Sequence, residues 1–174
     1  MPTLTFPELR QTYEYDCGAN ALQSVLVYYG VERREEILIK QAKTKKKIGT
    51  LVKDMEKTLK KYGMNFDGKE MTIEDLKKCI DKKVPIIILL QAWSKKKTDY
   101  ANSFACGHWV VVIGYEKNKI IFEDPYAFKR DCLTEQELCD RWHAKEGRKK
   151  ITHFGLAVIG KKPVFDPKEI VRMG

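Results

Sequence analysis

Gly107-His-Trp-Val-Val-Val-Ile-Gly-Tyr115 is the stretch on which the fold turns. Its centre is an unbroken apolar run of Trp109, three valines and Ile113, mostly β-branched and closed by glycines, so it reads as a buried strand over His108 to Tyr115. The Glu-Lys-Asn turn follows, and Lys119 to Glu123 reads as the antiparallel return. Working outward, Val84 to Gln91 and Ile151 to Ile159 have the same strand character. Thr134 with Glu137 forms a capping box for a short helix ending near His143. The N-terminal half has a different periodicity. Asp16 is placed to cap a helix from Cys17, with Ala21, Leu22, Val25, Leu26 and Tyr29 at helical spacing and Gly30 closing it. Further helices are expected over Arg33 to Ala42, over the stripe Leu51, Met55, Leu59 and Tyr62 that stops at Gly63, and from Thr72 through Ile80 with Asp75 in a capping box. Helices first and strands later give an α+β class: an N-terminal helical half packed on a C-terminal antiparallel β-sheet, with a cleft between them.

The bulk numbers are consistent with that outline. A length of 174 residues with 43% apolar content suits one domain with a single core. We read residues 1–160 as that domain and 161–174 as a tail that docks or frays. No apolar run approaches the roughly 20 residues a bilayer span needs. The start Met-Pro-Thr-Leu-Thr-Phe-Pro lacks the charged and apolar regions of a signal peptide, so a cytoplasmic location is expected. The cysteines at 17, 79, 106, 132 and 139 are odd in number and scattered, which reads as reduced thiols. The net charge of +9 comes from lysine clusters spread along the whole chain. Solvated faces explain such a spread best, although a basic field also suits an acidic substrate. No concentrated basic patch with interleaved aromatics points to nucleic acid.

Four residues carry chemistry. Cys17 stands at the first turn of its helix, where unpaired N–H groups and the helix dipole favour a thiolate. Gly18 beside it leaves room for a substrate backbone. His108 opens one strand and Asp124 follows the return strand, so chain reversal brings imidazole and carboxylate to the same end of the sheet. Gln11, six residues before Cys17, offers an N–H donor to an oxyanion alongside the Cys17 amide. Thiol, imidazole, carboxylate and amide are the parts of a nucleophilic acyl-transfer site. Gly107 and Trp109, flanking His108, are taken with Gly18 as substrate contacts. The substrate expected is a peptide or protein. No cofactor is called for, and Cys132, Cys139, His143 and His153 lack the close cysteine pair of a zinc site. His153 also opens a strand, but no carboxylate follows it on a return strand.

Gln11-Thr-Tyr-Glu-Tyr-Asp-Cys17-Gly-Ala, the helix ending Tyr28-Tyr29-Gly30, Gly107-His108-Trp-Val-Val-Val-Ile-Gly114 and Phe122-Glu-Asp124-Pro125 together resemble the cysteine peptidases that process bacteriocin and peptide-pheromone precursors after a double-glycine leader. That family belongs to the papain-like superfamily, and the resemblance spans roughly residues 8 to 128. It implies a papain-like fold with Cys17 as nucleophile, His108 as general base and acid, Asp124 as orienter and Gln11 as oxyanion donor. The chain resembles the stand-alone relatives, because it has neither membrane spans nor an ATPase. Two other functions use the same parts differently: acyl transfer or isopeptide cleavage through the thioester, and non-catalytic peptide binding. The stretch from Ala92 to Ala105 is expected to form one wall of the cleft. Cys106, two residues before His108, reads as a packing residue, with a disulfide to Cys17 as the alternative.

Overall fold

A computed structural model describes residues 2–174. The chain runs α1 (Cys17–Tyr28), α2 (Glu35–Gln41), α3 (Val52–Lys61), β1 (Asn65–Glu70), α4 (Ile73–Asp81), β2 (Ile86–Gln91), β3 (Gly107–Glu116), β4 (Lys119–Glu123), β5 (Asp131–Thr134), α5 (Glu135–Arg141), β6 (His143–Glu146), β7 (Lys149–Thr152) and β8 (Phe154–Ile159). A six-stranded sheet has the order β1-β8-β2-β3-β4-β5 with every neighbour antiparallel, and β6-β7 is a separate hairpin. The fold is the α+β arrangement expected, with α1 packed against β3, α2 and α3.

Apolar content decides which elements lie at the centre. All six residues of β2 are buried, as are His108 through Gly114 of β3, which matches their uninterrupted apolar runs. Helix α1 is apolar nearly all round, and Ala19, Ala21, Leu22, Val25 and Leu26 are fully enclosed. Burying each leucine or valine stabilises the fold by about 1.5–3 kcal/mol relative to exposure, so α1 is fixed firmly against the sheet. Its far end is tied down as well. Tyr28 Oη donates to the Lys83 carbonyl and Tyr29 Oη to that of Val158.

Asp16 departs from its expected role. Its side chain makes no helix cap; it turns back and accepts the Thr12 and Tyr13 backbone N–H groups at 3.1–3.2 Å. The carboxylate therefore closes the loop leading into Cys17. Strand β1 was not legible, because Asn-Phe-Asp-Gly-Lys-Glu is polar and lies exposed at the sheet edge, held by its pairing to β8. The expected strand over Ile151 to Ile159 is two strands in different sheets. His153, with a φ of 49°, breaks it and stacks on Trp142 at 4.9 Å. In the tail, the Val164 and Phe165 N–H groups bond to the Tyr28 carbonyl, whereas Ile170, Val171 and Met173 are exposed.

Candidate active site

Cys17 is the first residue of α1, and its helix is buried, so the sulfur is held at the seam between helix and sheet. His108 and Asp124 reach that seam from β3 and from the residue after β4. The register Val111↔Glu123 brings the start of one strand beside the end of the other, and His108 Nε2 lies 2.7 Å from Asp124 Oδ1. Both side chains are almost wholly enclosed, at 7% and 2% exposure. With Nε2 committed to Asp124, the other ring nitrogen is left for Cys17, which lies close enough to His108 to raise its pKa.

Burial alone would push the imidazole down. The charge on Cys17 and the hydrogen bond to Asp124 outweigh it and hold His108 at about 10. Burial likewise opposes ionisation of Asp124, yet the bond to His108 keeps that carboxyl below its ordinary value. The electrostatics therefore favour a protonated ring between two acidic partners.

Asp124 is saturated with donors. Oδ1 also accepts the Tyr126 N–H at 2.8 Å, and Oδ2 accepts the Trp93 indole N–H at 2.8 Å. Trp93 comes from the 92–105 loop and packs on Tyr126, with ring centroids 5.0 Å apart. The carboxyl of Asp131 also approaches Asp124. Its Oδ1 is buried without a partner, and burial followed by the Asp124 charge pushes the acid up to about 7. Neighbouring Glu123, fully enclosed, pairs with Arg10 and Arg130, while Arg130 also donates to the Phe6 carbonyl. These arginines fasten the N-terminal segment to the end of β4, and the Gln11 N–H completes the join by bonding to the Pro125 carbonyl at 2.9 Å.

A groove of about 710 Å³ opens over Cys17, with Gly107, Trp109, Leu89, Phe104 and Ala105 among its lining. The 92–105 stretch does contribute a wall through Phe104 and Ala105, and it supplies Trp93 to Asp124. Trp109 is buried and donates its indole N–H to the Thr50 carbonyl at 3.0 Å. Gly107 is exposed, and a side chain there would meet only Leu89, at 4.0 Å. Gly18 does not line the groove. A Cβ on it would lie 2.6–2.9 Å from Thr50 and Trp109, so its bareness serves internal packing. Gln11 sits in an adjoining hollow of about 630 Å³ that shares Glu14, Tyr15 and Lys46 with the groove. Its Nε2 donates to the Tyr13 carbonyl at 2.6 Å, which leaves one of the two amide hydrogens uncommitted.

Cys106 is a free thiol, as are the other four cysteines, and its N–H bonds to Gln91 Oε1 at 2.9 Å. His143 bonds to the Ser103 carbonyl and His153 stacks on Trp142. Among the described residues no three His, Cys, Asp or Glu side chains gather as metal ligands, and no helix is long and apolar enough to cross a membrane. Sequence reasoning did not find Trp93, Asp131 or the Arg10–Glu123–Arg130 cluster. Trp93 and Arg10 are distant in sequence from Asp124 and Glu123, and Asp131 and Arg130 reach those residues only through the turn after β4; the one available cue was a tryptophan in an otherwise lysine-rich, polar loop.

The family model described as the peptidase C39 family matches residues 5–145. Among solved structures, the peptidase domain of Streptococcus ComA, a bifunctional ABC transporter involved in a quorum-sensing pathway, is 22% identical with a TM-score of 0.68, covering 88% of this chain and 97% of that one. A double glycine motif protease from an AMS/PCAT transporter, in complex with the leader peptide, is 21% identical with a TM-score of 0.68, covering 93% and 94%. A C39-like peptidase from Bacillus anthracis is 14% identical with a TM-score of 0.67, covering 92% and 96%. No curated protein matches the chain.

Proposed function

The chain belongs to the peptidase C39 family of cysteine peptidases, and from that premise we propose that Cys17, His108, Asp124 and Gln11 cut peptide precursors after a double-glycine leader. The observation that carries the reading is the 2.7 Å bond from His108 Nε2 to Asp124 Oδ1. It fixes the ring so that the opposite nitrogen serves Cys17, as a thiol peptidase requires. A binding module would have no use for a thiol, a buried imidazole and a carboxylate coupled in this way.

The Cys17 sulfur attacks the scissile carbonyl while His108 carries the proton. The negative oxygen that develops is held by the Cys17 backbone N–H and by the uncommitted N–H of Gln11, each such donor being worth about 3 kcal/mol in the transition state. His108 then gives its proton to the leaving amine, which departs and leaves a thioester on Cys17. A water molecule, deprotonated by His108, attacks the thioester and releases the acid product. Asp124 keeps the ring in one orientation and favours its cationic form throughout. The groove is rimmed by exposed lysines, and in this reading water entering along that rim is the acceptor that resolves the thioester. The leader substrate is supported by the likeness in fold to the protease whose structure contains a leader peptide.

The test is incubation with a peptide library in which an internal Gly-Gly is present or replaced, with products read by mass spectrometry. We expect a cut after the second glycine that is absent in Cys17→Ala. Cleavage that persists in Cys17→Ala would remove the nucleophile from the scheme, and cleavage indifferent to the glycines would remove the leader.

A further inference from the structure

Four of the lysines meet at one place in the fold. Lys46 and Lys47 precede α3, Lys53 lies in it, and Lys145 comes from β6, yet all four line the groove over Cys17. All four are exposed, and among the described residues none forms an ion pair. Lys43 and Lys57 line a further hollow of about 240 Å³ that shares Ile48, Leu51 and Lys53 with the groove. The groove's lining holds two carboxylates, Glu14 and Glu146, against its four lysines, so it keeps a net positive charge. Glu146 Oε1 accepts the Val52 N–H at 2.6 Å, and Glu14 faces Lys95 at 3.7 Å.

A second feature points the same way. Lys145 and Lys150 are direct cross-strand partners in the β6-β7 hairpin, and like charges placed opposite one another destabilise a hairpin. Both ammonium groups lie over the ring of Phe104, at 4.4 and 5.6 Å from its centroid, and Phe104 is itself a wall of the groove. Among the described residues neither of these two lysines forms a salt bridge, so both cations are held at the groove edge against their mutual repulsion. An anion arriving in the groove relieves that repulsion.

We propose that the lysine rim of the Cys17 groove recognises an acidic segment of the peptide substrate, adjoining the bond that is cut. This deepens the peptidase reading and rests on it. The rim is continuous with the cavity over Cys17, which favours a peptide threaded past the sulfur over a nucleic acid or a membrane surface. Close pairing of several exposed charges also raises the encounter rate and makes binding sensitive to salt.

The experiment uses fluorescent peptides that share one Gly-Gly site and carry a block of Glu and Asp, or of Gln and Asn, before or after it. We expect the wild type at low salt to prefer one acidic peptide over its neutral match by about tenfold in kcat/KM, the sum of several exposed pairs. Most of that preference should vanish at about 0.5 M salt, and in the variant K46Q/K47Q/K145Q. Equal cleavage of acidic and neutral peptides, or a preference that survives in the triple variant, overturns the proposal. If neither peptide is cut, the peptidase reading fails separately, and anisotropy with Cys17→Ala decides the inference: tighter, salt-sensitive binding of the acidic peptide supports it and equal binding overturns it. Displacement of that peptide by lower concentrations of a single-stranded oligonucleotide or of anionic vesicles would also overturn it, in favour of a general polyanion surface.

Discussion

Trp93 Nε1 donates to Asp124 Oδ2 at 2.8 Å, so the carboxylate bonded to His108 is gripped from its far side by an indole. Trp93 holds a φ of 59°, left-handed backbone that a bulky residue rarely adopts. Such a conformation costs about 1–3 kcal/mol. The hydrogen bond and the packing on Tyr126 offset it. Trp93→Phe keeps an aromatic cover and removes only the N–H. A hydrogen bond to a charged group contributes about 1.5–3 kcal/mol, so kcat should fall roughly tenfold or more with a smaller change in KM. Steady-state kinetics on a cleaved peptide checks this.

His108 is held at about 10, and the sign of its pH effect follows. For a group raised on folding, the favourable pairing is complete below its ordinary value, near 6.5, and is lost as pH rises through about 10. The pH–rate profile should therefore carry no His108-linked decline through neutrality and should fall above about pH 9. Asp124→Asn removes a charge that raises the ring, so the alkaline fall should move to lower pH.

Asp131 gives a stability prediction. Burial and the neighbouring Asp124 push its acid up to about 7, well above a free aspartate. The folded state then binds an extra proton between about pH 4 and 7, so stability is lost as pH climbs through that window. Asp131→Asn cannot ionise, so it removes the repulsion from Asp124 at high pH. Its melting temperature should exceed that of the wild type at pH 8 by several degrees, each kcal/mol being worth about 2–8 °C, and should match it near pH 4. Thermal melts across pH settle the point.

Gly18 is committed to packing against Thr50 and Trp109. Gly18→Ala places a methyl group within 2.6–2.9 Å of both side chains, and overpacking of this kind costs about 1–3 kcal/mol. Urea unfolding should show a lower midpoint with an unchanged slope. Any loss of activity would then come from displacement of Trp109 at the groove, seen as a change in KM.

How legible the molecule is in its sequence depends on the length scale of the interaction. Helix α1, strands β2 to β4 and both capping boxes, at Thr72 and Thr134, are written in local patterns, and they appear where those patterns put them. Strand β1 and the β6-β7 hairpin are polar and exist through pairing across the chain, which no local pattern records. The same division holds at the site. Cys17, His108 and Asp124 stand at element ends that a strand-and-helix reading can locate, and the structure brings them to one seam. Gln11 is fastened beside Asp124 through Pro125, but its side chain is turned to Tyr13. Trp93, Asp131 and the lysine rim depend on how loops fold back, so only the three-dimensional arrangement exposes them.

The central claim is that Cys17 and His108 work as one unit, and the most direct measurement is the rate of Cys17 alkylation by iodoacetamide near pH 6.5. Cys79, whose thiol burial pushes up, is an internal reference in the same molecule. An ordinary thiol is only about 1% ionised at that pH, so an imidazolium-paired sulfur should react roughly a hundredfold faster. We expect Cys17 to be labelled at least that much faster than Cys79 in the wild type, and the advantage to disappear in His108→Ala. Equal labelling of the two cysteines, or a fast Cys17 that is indifferent to His108, would contradict the account.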